Sequence, residues 1–264
     1  LRGKRFCVVM AGNPYTESGE TFQIPDMLAN RADTYNLGDV LEGKGEQFAL
    51  SYLENSLTSN PVLAPVATRS LADVHRFLKM ARGEEVPSSE LEHAYSAVEV
   101  QEITAVLSKL LRAQAVLSMV NAEYIRSASM EDAYRTEPPF KLQGSYRNMN
   151  KLAEKVVAAM NDEELERLLD DHYQGESQTL TTGAEQNLLK LAEMRGRQTA
   201  AQKARWDEIK KEYRRQRTMG GAEDDPVVRV TGTLSGLGKQ LDQIEAAIRD
   251  AADRLVPSAD YELT

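Results

Sequence analysis

The stretch "VVMAGNPYTESGETFQIPDMLANRAD", residues 8 to 33, decides how the chain is read. It opens with an apolar run, breaks at Asn13-Pro14 and closes on one arginine, Arg31, among small residues. Extended backwards, "RFCVVMAG" (5 to 12) has the composition of a short, fully buried strand closed by Gly12. A buried strand needs partners, and "TYNLGDV" (34 to 40) is the only one nearby, so the sheet is expected to be incomplete. Between the two runs, Pro25 and Asp26 open "PDMLANRA" as one short helix with proline in its first turn.

From Glu46 onward the periodicity becomes helical, with Phe48, Leu50, Leu53 and Leu57 on one face. The two prolines of "SNPVLAPVATRS" predict an irregular connector, and "LADVHRFLKMA" (71 to 81) predicts a helix ended by Gly83 and Pro87. A long helix is expected over 96 to 119, striped by Val98, Ile103, Val106, Leu107, Leu110 and Leu111. After the Pro-Pro loop of "EPPFKLQGSYRNMNKLAEKVVAAM", Gly144-Ser145 starts a helix carrying Leu152, Val156 and Val157. Asn161 caps "DEELERLLDDHY", whose first-turn acids suit the helix dipole. The polar "QGESQTLTTG" (174 to 183) marks a domain boundary, followed by helices near 184 to 194, 200 to 217 and 233 to 255. The last carries Leu234, Leu237, Leu241, Ile244, Ile248, Ala251 and Leu255 as a heptad seam, matched by Trp206, Ile209 and Tyr213 on its predecessor. An antiparallel helical hairpin is the expected result.

The bulk numbers agree with a helical protein. Of 264 residues, 41% are hydrophobic, 28% charged and only 6% aromatic, and the length suggests two units. With 41 acidic against 32 basic residues the formal charge is −9, which disfavours non-specific binding to nucleic acid or anionic membranes by the chain as a whole. The single cysteine, Cys7, excludes a disulfide framework and any cysteine-based metal site, and reads as a buried structural thiol. No run of 18 apolar residues and no signal peptide is present, so no membrane span and a cytoplasmic location are expected. Starting at Leu1 with so little sequence before its first strand, the chain is expected to be a fragment.

Arginines neutralise charge that develops on a transferred phosphoryl group, and a polar residue orients the attacking water. The order Asn13-Pro14, Gly19, Phe22, Ile24-Pro25-Asp26 and Arg31 resembles the corresponding segment of MoxR-like AAA+ ATPases. There is one extra residue between the glycine and the proline, and Asn30 stands where the family has aspartate. Further on, "LQGSYRNMNKLAEKV" resembles the family's lid signature of glycine, small residue and arginine, with Tyr146 in place of the usual proline. The resemblance spans about residues 5 to 170, and the wording of these segments is also similar to large bacterial proteins described as DNA repair ATPases.

The resemblance implies a fold that is mainly α with a small α/β N-terminal remnant. Residues 1–45 would end an AAA+ core, 46–175 would form an all-helical lid, and 176–264 would be a helical hairpin extension. It implies that Asn13 is sensor 1, Arg31 an arginine finger acting on a neighbouring subunit's nucleotide, and Arg147 sensor 2, with Asn13 and Arg147 contacting ATP. Hydrolysis in an oligomeric ring would drive remodelling of a macromolecular partner. No G-x-x-x-x-G-K-[ST] occurs, since "GTLSGLGKQL" (232 to 241) has the wrong glycine spacing, and no apolar strand ends in Asp-Glu. ATP and Mg2+ would therefore be bound mainly by residues absent from this chain, which is not expected to be active alone.

The alternative is a non-enzymatic helical interaction module that uses the 184–255 hairpin for a protein partner. A weaker idea is nucleic-acid contact through "KARWDEIKKEYRRQR" (203 to 217), with seven basic residues against three acidic. The histidines at 75, 93 and 172 are too dispersed to suggest a metal site, and "EELERLLDDH" (163 to 172) reads as a solvated face rather than an acid–base pair.

Overall fold

The computed structural model describes residues 9, 12–13, 15, 24, 26–33, 43–131 and 134–219. The expected strands at 5–12 and 34–40, Cys7, and the heptad helix at 233–255 lie wholly or largely outside the described residues. The described chain is mainly helical, and it contains no sheet. Its two compact units are Leu1–Asp207 and Glu208–Thr264.

The helices run α1 (Asp26–Ala29), α2 (Gly45–Ser56), α3 (Ala64–Arg69), α4 (Leu71–Ala81), α5 (Ala97–Ser129), α6 (Tyr146–Ala153), α7 (Asp162–Gln178), α8 (Ala184–Met194) and α9 (Ala200–Met219). Short polar side chains set several starts. Ser70 caps α4 by accepting from the Asp73 N–H, and Ser96, Ser145 and Asn161 form reciprocal capping boxes with Glu99, Asn148 and Glu164. These satisfy amides that a helix start would otherwise leave without partners.

The 33-residue α5 is the axis of the first unit. Its N-terminal two thirds bury Ile103, Val106, Leu107, Leu110, Ala113 and Leu117 in a core shared with α2, α3, α4, α6 and α7, where Leu53, Phe77, Met149, Leu152, Leu165 and Leu169 meet them. Its C-terminal third enters a second cluster, in which Val120 and Tyr124 pack with Phe140, Leu142, Tyr173, Leu191 and Tyr15. By length and composition α5 could cross a membrane. In this fold its buried face forms both cores.

Some elements differ from their expected form. The "irregular" connector contains α3, with Pro65 in the first turn where a missing N–H costs nothing. The helix expected to carry Val156 and Val157 ends at Ala153, because Asn60 Nδ2 donates to the carbonyls of Ala153 (2.8 Å) and Val156 (2.9 Å) and closes the C-terminus. Val156 stays buried, whereas Val157 is exposed. Of the polar segment 174–183, residues 174–178 are the last turn of α7, where Ser177 is buried, and 179–183 is the loop before α8; all of it lies inside the first unit.

Candidate functional site

The start of α6, beside the predicted site residue Arg147, is held by several contacts. Gly144 lies against α5: a Cβ there would overlap the Leu117 carbonyl oxygen and crowd the Asn121 amide nitrogen at 2.9 Å. The Gly144 carbonyl accepts a 2.5 Å hydrogen bond from the Tyr52 hydroxyl on α2. Ser145 then caps the helix, and Asn148 closes the box by accepting from Ser145 N–H at 3.0 Å. Tyr146 stands where the resembled family has proline. Its ring stacks on Tyr52 at 4.6 Å, and its hydroxyl pairs with Ser51 Oγ at 2.8 Å.

Held by these contacts, Arg147 projects from the first turn of α6 and is exposed. A cation there opposes the helix dipole. Beneath it, Asn148 Nδ2 sits 3.1 Å from His172 Nε2, and Lys151 pairs with Glu176 at 2.7 Å. Burial pushes the His172 imidazole below its ordinary value, and the Lys151 and Lys155 charges add to this against Glu176. A neutral ring with Nε2 as acceptor fits the contact with Asn148. Burial likewise pushes the Tyr52 hydroxyl up to about 12, and it raises the Tyr173 hydroxyl too. Tyr173 Oη has no hydrogen-bond partner among the described residues.

Asn13 and Arg31 are exposed, Arg31 in the turn that follows α1. A cation just beyond a helix C-terminus is also a favourable dipole partner. Asn13, Arg31 and Arg147 belong to three different segments. Two shallow cavities of about 380 and 530 Å³ lie along α5 and share Met119 and Met194; none of the three predicted residues lines either.

Sequence reasoning missed a buried carboxylate. Asp73 is fully buried, and its Oδ1 accepts from Glu92 N–H (2.7 Å) and Arg76 (3.2 Å), while Oδ2 meets His93 Nδ1 (3.0 Å) and the Tyr95 hydroxyl (3.1 Å). Asp73, Glu92 and His93 are close enough together to hold a metal ion. However, both Asp73 oxygens are already engaged by donors, and this arrangement binds the 91–95 loop to α4. The three histidines go to three partners: His75 to Glu54, His93 to Asp73 and His172 to Asn148. Two carboxylates of α7 are also engaged: Glu166 pairs with Arg112, Arg195 and Arg197, and Asp170 with Arg195. Arg195 is nearly buried, and it links α8 to α7. On α9, Trp206 is buried, and Arg205 pairs with Glu185 at 2.9 Å.

The chain matches no family model, no curated protein and no solved structure.

Proposed function

We propose that the chain is the C-terminal part of an AAA+ ATPase of MoxR-like type, with Asn13 as sensor 1, Arg31 as a trans-acting finger and Arg147 as sensor 2. The observation that supports this best is the start of α6. A glycine pressed on α5, a capping serine and a stacked tyrosine together fix an exposed arginine at the first turn of a helix in an all-helical domain. An exposed guanidinium and an exposed carboxamide suit phosphate oxygens. No carboxylate belongs to this set, so Mg2+ would be held by residues outside the chain. ATP supplies the phosphoryl group. Arg147 would steady its charge from the lid, Asn13 would hold the attacking water, and Arg31 would neutralise charge across a subunit interface in a cytoplasmic ring.

The test is steady-state ATP turnover of the longest protein that carries the upstream half. Arg31→Ala should lose on the order of 10³-fold in turnover while retaining nucleotide. A mixture of Arg31→Ala with a phosphate-loop mutant should recover part of it, since each partner supplies what the other lacks. Wild-type turnover in Arg31→Ala would instead favour the interaction-module reading.

A further inference from the structure

Asn13 is exposed, yet two positions later Tyr15 is buried in the second cluster of the helical unit, at 7% exposure. Its ring meets Tyr124 of α5 edge-on, with centroids 5.7 Å apart and planes at 73°. The Lys141 ammonium lies over the Tyr15 ring, 6.0 Å from its centroid. The Tyr15 N–H donates to the Tyr124 hydroxyl, and the Tyr15 hydroxyl accepts from the Arg135 guanidinium, both at 3.4 Å. Those two hydrogen bonds are long, so the ring contacts hold the residue and the polar contacts orient it.

The receiving surface is itself built. Arg135 is buried and also donates to the carbonyls of Ser127 (2.6 Å) and Met130 (2.9 Å) at the end of α5. Asn187 Oδ1 of α8 accepts from Lys141 N–H (2.6 Å) and Leu142 N–H (3.3 Å), fixing the strap that passes Tyr15.

We propose that Tyr15 is a positioning residue: it clamps the segment that bears Asn13 to α5 and to the 135–142 strap, so that Asn13 is carried by the helical unit. Its consequence for turnover rests on reading Asn13 as the water-orienting sensor. The clamp itself does not. A shift of the lid would then move the sensor with it, because a buried ring two residues away leaves little slack.

The experiment compares wild type, Tyr15→Phe, Tyr15→Leu and Tyr15→Ala by two readouts. The first is hydrogen exchange of the full chain over residues 9–24, with α5 and α7 as internal controls. The second is ATP turnover in the longest protein with its upstream half. Tyr15→Ala should speed exchange over 9–24 about tenfold with the controls unchanged. It should lower kcat about a hundredfold at nearly constant KM. Tyr15→Phe keeps the ring and should stay close to wild type by both readouts. Should Tyr15→Ala loosen the controls as well, Tyr15→Leu, which keeps apolar bulk, takes its place. Unchanged exchange over 9–24 overturns the clamp. Faster exchange with unchanged kcat, in a protein whose Arg31→Ala and Arg147→Ala forms are dead, overturns the positioning role and leaves the ATPase reading standing. A wild type without turnover overturns the ATPase reading and the positioning role with it, and exchange still decides the clamp.

Discussion

Gly144 approaches the backbone of Leu117 so closely that a Cβ at 144 would overlap the Leu117 carbonyl oxygen. Since that obstacle is helix backbone, it cannot rotate away as a side chain could. Gly144→Ala should therefore cost about 3 kcal/mol, at the upper end for overpacking, and be visible as a lower denaturant midpoint with an unchanged slope. Displacing the start of α6 should also move Arg147, so if Arg147 is sensor 2 as proposed, turnover should fall beyond what the loss of folded protein explains.

Asn60 is fully buried and uses both ends of its amide: Nδ2 donates to Ala153 and Val156, and Oδ1 accepts from Val62 N–H (3.0 Å) and Leu63 N–H (3.3 Å). Asn60→Ala strands buried carbonyls and amides, and should cost about 3 kcal/mol in equilibrium unfolding. Asn60→Asp should be worse above pH 5, because a carboxylate would then face two carbonyl oxygens with no proton to offer.

The same residue shows where sequence reading stops. Ser145 as a helix start and Asn161 as a cap were legible because a cap and its partner lie three residues apart, and so α6 and α7 start where expected. The stop of α6 was not, because the group that closes it, Asn60, lies 93 positions from Ala153. The two prolines read as breakers although Pro65 occupies the one turn that accepts it. On α5, the polar Gln114, Ser118 and Asn121 interrupt the apolar stripe. The helix nevertheless runs to Ser129, because Val120 and Tyr124 face a second core whose members come from far along the chain, and buried Ser127 accepts from the Phe140 N–H. Glycine, serine and arginine at 144, 145 and 147 were legible as a pattern, but the reason for the glycine lies on α5. Nothing in the spacing of Asn13 and Tyr15 announced that the tyrosine is buried.

Asp73 titrates below its ordinary value. Burial pushes it up, but the Glu92 amide, His93, Tyr95 and Arg76 together outweigh burial. A depressed folded-state value means that the stabilisation is fully present above the unfolded carboxylate value, near pH 4, and is lost as pH falls through the folded one. Wild type should thus lose stability in acid below about pH 4, while Asp73→Asn should start about 2 kcal/mol lower and show a shallower acid limb. Thermal melts between pH 2 and 7 check both.

His172 should give a second, separate window. The fold lowers its value through burial, so between the folded value and about 6.5 the unfolded chain binds more protons and stability rises with pH. Denaturant midpoints should fall as pH drops below about 6.5. His172→Gln, whose carbonyl can still accept from Asn148, should flatten that slope while leaving the acid limb below pH 4 in place. An unchanged slope would assign the window to another group.

Arg147 separates stability from activity most cleanly. It is exposed, it sits at the end of α6 where the dipole disfavours a cation, and alanine is the better helix former at that position. Arg147→Ala should therefore leave unfolding free energy within about 0.5 kcal/mol of wild type. If Arg147 reaches the phosphates from the lid, the same change should lower kcat by about 10²-fold or more, as expected when a preorganised donor to developing charge is removed. Arg147→Lys keeps the charge but loses the planar fork and should recover only part of the rate. A destabilised Arg147→Ala with rates in proportion to its folded fraction would make the residue structural, and the exposed arginine would then have no part in turnover.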